Sequence, residues 1–543
     1  LETHQGDRHR SPLRTSIVRL AGSARASTVL LVLLIALLPT GKALGREALL
    51  GLRDAVATGL RQNLDLEIQR LDIPLKRQDV ISNEAVFDPA VEAALSAADQ
   101  KLLTGVILYG DETQHTREIS AGIGILKRFT TGLQSRLAFE TLRVEDNFLA
   151  DALDPKYRNL IVLQLTQPLL RDFGTDVNTA AVQVSKNRVE LSVADYMARS
   201  QMLAGEIERI YLDLAGALAV LEFRIQSREL AETLAAGNQR RLARGMISVT
   251  EVDEARTAVV DRDEAVIRAR QQVETLENQL KDLLAIAPAD PLYDADIRTP
   301  PIPATVLPGP ERNAALETAL NKRPDLKGIR IARENTEILT DYYRNQKKPQ
   351  VDLVASAGAN GLSGHDRPVA ILGGPHTSSL TGDYGDAFTS LFRDGGYQLS
   401  AELRFHYPLG NRAARAQYRK NRIEQRKIEL LIDRTKRRID TEIQNALVIV
   451  DRSLERVQAG ERFVGLSAKT LDQETTRLNS GLSDTFRVLD YQEKQVSARI
   501  RHVMALTDYR KGLARLHQAM GTNLERYDIL VSVDKSALGL PED

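Results

Sequence analysis

Histidine is the side chain most often used to move a proton or hold a metal, and the chain carries eight of them with no cysteine. None falls into a ligand spacing. His365 and His376 sit in a stretch rich in Gly, Ser and Asp without a spaced partner, so both read as solvated loop residues. Lack of Cys removes thiolate metal sites, disulfides and a lipidated N-terminal cysteine. Asp261 and Asp263 could share acid and base roles, but they lie on a run thick with charge, where a solvated helix face is expected. Gly122 and Gly124 lack the third glycine and the strand-to-helix setting of a dinucleotide fingerprint, and neither G-x-S-x-G nor a P-loop occurs. No catalytic residue, cofactor or metal is therefore expected, and the chain reads as non-enzymatic.

What recurs is a turn. Arg241, Leu242 and Gly245 return as Arg477, Leu478 and Gly481, 236 residues later, and Lys186, Asn187 and Arg188 return as Lys420, Asn421 and Arg422, 234 later. Leu60, Asp65, Leu66, Pro89 and Val91 answer Leu320, Asp325, Leu326, Pro349 and Val351 at an offset of 260. Two copies of one unit follow from this, because each must build the same kind of structure. Glycine just past the last helical residue enters the left-handed conformation without a Cβ clash, so R-L-x-x-G reads as a helix reversal.

The elements that hold these turns are long. No proline occurs between Leu169 and Ala287 or between Leu409 and Leu540, and an interior proline costs a helix about 3 kcal/mol. Apolar residues recur there at threes and fours, as in Met202, Ile207, Ile210, Leu214, Ala217 and Leu221. Helices are expected from about Thr175 to Ala243 and from Arg412 to Asn479, each ~100 Å long at ~1.5 Å per residue. Shorter ones are expected over Arg46 to Val86, Ser248 to Ile286, Glu311 to Gln346 and Asp484 to Met520, giving paired antiparallel helices. Few aromatics (5%), no Trp and 27% charged residues fit extended helix better than a thick core.

Between helices the pattern changes to alternation. Val91 to Ala97, Ile119 to Ile125, Leu133 to Phe139, Ile161 to Gln167 and Leu399 to Phe405 carry the strand signature. Eight of the eleven Phe fall in or beside these segments, which suits the aromatic girdles of a membrane barrel. A soluble antiparallel sheet is the alternative. Gly358 to Gly396 reads as a long exposed loop between two strands, and residues 287–310, with seven of the nineteen prolines, as a linker.

The first 45 residues read as an export signal. Five arginines from Arg8 to Arg25 precede an apolar run from Thr28 to Leu38 and then small residues at Ala43 and Gly45. Eleven apolar residues are too few to span a bilayer, which argues against a retained anchor. Without that segment the charges are 73 − 6 = 67 basic against 73 − 2 = 71 acidic, a formal −4, which offers nothing to a nucleic-acid partner. The expected organisation is a signal at 1–45, a first repeat at 46–286, with barrel strands at about 88–168, and a linker at 287–310. A second repeat follows at 311–530, with strands at about 350–408, and then a tail at 531–543.

The order helix, strands, long helix, R-L-x-x-G turn, helix, given twice, resembles the TolC-like outer-membrane efflux proteins over about Leu49 to Leu530. Its marks are Asp54 to Leu66 with an N-L-D-L ending, Gln167 to Leu170 with Gly174 nearby, Tyr407 to Gly410 in the matching place, and the two turns. The resemblance implies a mainly α chain with membrane β: a duplicated α-barrel tunnel of long antiparallel helices, plus strands that contribute to a trimeric outer-membrane β-barrel. Its implied partners are two further copies of the chain, outer-membrane lipid, a periplasmic adaptor (membrane fusion) protein and an inner-membrane transporter. The implied activity is passive conduction in a tripartite efflux or type I secretion system. A soluble or periplasmic coiled-coil structural or adaptor protein is the rival reading. The family has four strands per chain, whereas residues 118–145 here add a hairpin, so the barrel is larger or the hairpin lies outside it.

By the same resemblance, the tip formed by Arg241, Leu242, Gly245, Met246, Arg477, Leu478, Gly481 and Leu482 docks the adaptor, and Glu251, Arg487 and Asp490 stand at the aperture. Family members carry acids at all three aperture places, and a latching Tyr and Arg where this chain has Leu478 and Ser483. Glu251 and Arg487 have equivalent places in the two copies and opposite charge, which makes them an expected latch.

Overall fold

The computed structural model describes residues 47–110, 112–303, 305, 309–371 and 374–529. The expected export signal and the C-terminal tail lie outside the described residues. The first copy begins with a short strand β1 (Glu47–Leu49), helices α1 (Leu52–Gln62) and α2 (Leu64–Glu84), and strands β2 (Ala90–Leu103), β3 (Thr113–Arg128), β4 (Gln134–Asp146) and β5 (Leu153–Pro168). It continues with α3 (Ala180–Ala243) and α4 (Val249–Leu283). A short strand β6 (Asp296–Arg298) leads to α5 (Arg312–Lys322), α6 (Pro324–Gln346), β7 (Gln350–Asp366), α7 (Tyr384–Ser390), β8 (Gly396–His406), α8 (Arg412–Asn479) and α9 (Thr485–Met520).

The two short leading helices differ from expectation. Each is broken once, at Asn63 and at Arg323, both of which are extended (ψ 121°). Asn63 leaves the helix to cap the next one, its side chain accepting from the Leu66 amide at 3.1 Å, which is what the N-L-D-L ending does locally. Pro324 disfavours helix at Arg323 and then serves as first residue of α6. The Pro-rich linker is also more than a linker, because β6 inside it pairs in parallel with β1.

The two long helices span ~96 Å and ~102 Å at ~1.5 Å per residue. Along α8, Ile432, Ile439, Ala446, Ser453, Ser467 and Glu474 are buried at steps of seven or fourteen. Ile443, Val450, Val457 and Leu478 form a second row at multiples of seven. A repeat of seven on a helix of 3.6 residues per turn makes the seam drift, so neighbouring helices must coil left-handedly about one another to keep it covered. At mid-height α3 places Ile207, Ile210 and Leu214 against Val56, Leu276, Leu280, Leu284 and Ile297. The second copy repeats this, with Val450, Leu506, Tyr509 and Leu513 in one cluster and Ala315, Leu326, Ile439 and Ile443 in another.

All six long strands form one antiparallel sheet in the order β8, β7, β5, β4, β3, β2, so the copies meet where β5 pairs with β7. The β3–β4 turn sits against the start of α3, with Arg128 donating to the Asn178 side chain at 2.9 Å, so that end faces the helices. At the opposite end Arg367 gathers the loops, donating to the Asp146 and Phe148 carbonyls at 2.8 and 2.6 Å. Strand β7 runs to Asp366, so the loop expected from Gly358 starts at Arg367 instead, and it holds a short hairpin (Val369–Ile371 with Gly374–His376) and α7.

Register assigns the faces. One face carries Val91, Ala93, Leu95, Ala97, Ile119, Ile123, Ile125, Leu137, Phe139, Ile161, Leu163, Leu353, Leu399, Leu403 and Phe405; the other carries Glu92, Ser96, Glu118, Ser120, Arg136, Glu140, Arg158, Gln164, Ser400, Glu402 and Arg404. The apolar face is largely uncovered, with Val91, Leu95, Ile123, Leu137, Leu399, Leu403 and Phe405 all 46 to 80% exposed. Water does not tolerate a patch of that extent, and a lipid-facing barrel wall requires one. Near its outer end α7 lies on this face, its Phe388 ring 5.9 Å from Phe139 and 5.8 Å from Phe392. Among the described residues no helix is long and apolar enough to cross a membrane.

Candidate functional site: the helical tip

The two R-L-x-x-G sequences close their helices in the same way. The Gly245 amide donates to the Leu242 carbonyl at 2.8 Å and the Met246 amide to that of Arg241 at 3.0 Å; Gly481 and Leu482 repeat this on Leu478 and Arg477 at 3.1 and 2.8 Å. Both glycines are left-handed, at φ +72° and +71°. This double bond pattern satisfies carbonyls that the helix end leaves open, and it works because glycine pays no Cβ penalty there. A cap restarts each chain, with Ser248 accepting from the Glu251 amide at 3.4 Å and Asp484 from the Arg487 amide at 2.9 Å.

The two turns lie side by side. Arg241 donates to the Asn479 side chain at 3.3 Å, and buried Asn238 donates to the Thr485 hydroxyl at 2.9 Å and the Glu251 carbonyl at 3.2 Å. Thr485 in turn donates to the Glu251 carboxylate at 3.2 Å. Glu474, which occupies the place of Asn238 in the second copy, accepts from the Ser483 hydroxyl. Above the turns Arg262 is buried and donates to the Ser227 carbonyl and the Gln492 side chain, both at 2.9 Å, tying α4 to α3 and α9. Burial among neutral acceptors pushes its guanidinium pKa down.

Within one chain Glu251 and Arg487 do not meet. Glu251 is held by Thr485, whereas Arg487 lies 3.6 Å from Asp484 on its own helix and Asp490 lies 2.6 Å from Lys494. Leu478 also differs from expectation. It is buried and holds the hairpin together, because its place in the α8 seam turns it inward. Met246 and Leu482 do stand out, at 66 and 70% exposed, and Leu242 is half-buried. Sequence reasoning missed Val249 and Phe486, at 60 and 66% exposed, which sit one and two residues past the caps Ser248 and Asp484, in the first turn of their helices.

With this geometry in view, the outer membrane efflux protein family model matches residues 146–285 and 315–522. The chain belongs to the outer membrane efflux protein family. Among the most similar solved structures is a membrane protein from Pseudomonas aeruginosa, at 19% identity and TM-score 0.61, covering 87% of this chain and 90% of that one. VceC from Vibrio cholerae is similar at 16% identity and TM-score 0.59 (87% and 96% covered), and the open state of MtrE from Neisseria gonorrhoeae at 15% and 0.58 (87% and 89%). A comparison with curated proteins finds no match. As an efflux protein of this family the chain is an outer-membrane channel, with its sheet at the membrane and its helices forming a periplasmic tunnel, and its role is transport without catalysis. The family match begins at the last residue of β4, so the added strands lie outside it.

Proposed function

We propose that three copies of the chain close one barrel and one tunnel that conduct substrate passively from an inner-membrane transporter, through a periplasmic adaptor, to the exterior. This describes a tripartite efflux or type I secretion assembly. The observation that carries it is an uncovered apolar sheet at one end of a helical body ~100 Å long, with exposed Met246, Val249, Leu482 and Phe486 at the other. Those four side chains, around backbone left bare by Gly245 and Gly481, suit the apolar tips of an adaptor's helical hairpins. Purified from outer membranes, the protein should form trimers that give discrete conductance steps in a planar bilayer. Leu482→Cys should cross-link to a periplasmic adaptor in intact cell envelopes. A water-soluble monomer without conductance would end this reading.

Glu251 and Arg487 then act between neighbouring subunits, where their opposite charges hold the aperture narrow. At a wet surface one such pair contributes about 0 to 1 kcal/mol, multiplied by three in a trimer. Arg487→Glu should raise single-channel conductance, and an unchanged conductance would remove the latch from the mechanism.

A further inference from the structure

We propose that strands β2 and β3, which precede the family match, belong to the barrel wall, and that β2 pairs with β8 of the next subunit to close a barrel of eighteen strands. This rests on the trimeric channel reading above and concerns only how its barrel is built.

The first support is the apolar band. On β2 it runs through Val91, Ala93, Leu95 and Ala97, and on β3 through Ile119, Ala121, Ile123 and Ile125, directly opposite, so the β2–β3 hairpin carries the same lipid-facing alternation as the other four strands. A hairpin folded away into water would have no use for it. Ala94, the middle of the β2 run, lies on the row through Gly122, Glu140, Leu160 and Asn360 that reaches Gly396, whereas the β8 run (397–405) is centred on Ala401. The band thus slips 401 − 396 = 5 residues over five strand steps, or one residue per strand. At ~3.3 Å rise and ~4.8 Å spacing that slip is a tilt of ~35°, which is the tilt of a closed barrel.

The second support is the pair of edges. Nearly every residue of β2 and all of β8 are exposed, neither contains proline, and among the described residues no strand pairs with their outer edges. Lipid cannot satisfy a free row of amides and carbonyls, so both edges must find a strand. Direction fits as well: with six strands in strict antiparallel order, β8 runs opposite to β2 and can follow it around the ring.

The third support is register. Carrying the one-residue slip across the seam sets Ala401 opposite Leu95 of the next chain. On the lumen face this places Arg404 opposite Glu92 and Ser400 opposite Ser96. Each edge serine already bonds the serine one strand inward, Ser96 to Ser120 at 2.6 Å and Ser356 to Ser400 at 2.7 Å, so the seam would join two existing pairs into one row of four. Glu92 already reaches Arg136 at 2.6 Å across Gly124, whose added Cβ would lie 3.0 Å from the Glu92 oxygen, and Arg404 holds Glu402 at 3.1 Å. A slip of two residues one way sets Glu92 against Glu402, and a slip of one turns every apolar side chain into the lumen. Barrel diameter grows about linearly with strand number, so eighteen strands widen the outer-membrane pore ~1.5-fold over twelve.

Because the chain has no native cysteine, the seam can be read by disulfide formation. Ser96→Cys with Ser400→Cys in one chain should give, on oxidation of membrane-extracted trimers, a reducible band at three times the protomer mass. Glu140→Cys with Ser400→Cys should not, and Leu95→Cys with Ser400→Cys, on opposite faces, should not. Linkage of Glu140→Cys to Ser400→Cys instead would place β4 at the seam and the β2–β3 hairpin outside, overturning the proposal while leaving the trimeric channel intact. Linkage of neither pair in conducting trimers overturns it too. Hydrogen exchange on the unmodified trimer gives a second reading: β2 amides should exchange as slowly as those of β5, and fast exchange confined to β2 would refute the seam.

Discussion

At Gly245 and Gly481 the backbone sits at φ +72° and +71° with nothing within 4 Å of where a Cβ would stand. A substitution there meets no obstacle except its own backbone conformation. Gly481→Ala should cost about 1 kcal/mol, with Gly481→Asn costing less because Asn visits the left-handed region more readily, and thermal melts of the three proteins check the order. A reversed order would mean that contacts, and not φ, select the glycine. Glu208 is a different kind of residue. It is buried in α3, where Arg526 donates to it at 3.1 Å, and burial pushes its carboxyl pKa up. In the unfolded chain it ionises in the ordinary range, so stability falls as pH rises from that range towards the raised folded value. Glu208→Gln removes this loss, and its melting temperature relative to the parent should be more favourable at about pH 7.5 than at about pH 4. The turn glycines were legible in sequence because conformation alone demands them. Asn238 and Thr485 were not, since nothing in a polar helix face tells which amide will find a hydroxyl 247 residues away. Reading Glu251 against Arg487 by copy equivalence overlooked that Asp484, three residues before Arg487, is the nearer partner within the chain.

Single elements were read best where one period runs uninterrupted. Helix α8 was expected from Arg412 to Asn479 and has those bounds, because proline is absent and the buried rows repeat faithfully. Ile439 lies on one of those rows, fully buried against α5 and α6. Ile439→Ala should cost about 2 to 5 kcal/mol, read as a lower denaturant midpoint at an unchanged slope. The same truncation at exposed Ile423 on the same helix should cost far less. Breaks at Asn63 and Arg323 escaped notice because the apolar spacing continues across them, so periodicity sees one helix where capping and a following proline make two. Strand β7 was cut short for the opposite reason. From Ala355 to Gly364 it is built of Ala, Ser, Gly and Asn with one Leu, which reads as loop until neighbours on both sides supply its hydrogen bonds.

For the whole molecule, duplication was visible from repeated residues, but the way the copies are joined was not. Strand pairing between residues far apart in sequence leaves no local trace. The structure fastens the halves twice: β5 of the first copy runs beside β7 of the second, and β6, from the segment between copies, lies along β1 at the beginning of the described chain. Covalent continuity through the prolines is therefore a convenience of synthesis more than a requirement of architecture. Severed between Arg298 and Glu311 and produced together, the two polypeptides should find each other and copurify as a stable 1:1 complex, while either one made alone should aggregate through its bare β5 or β7 margin. If the pieces stayed soluble and apart, the halves would be independent modules that happen to share a gene.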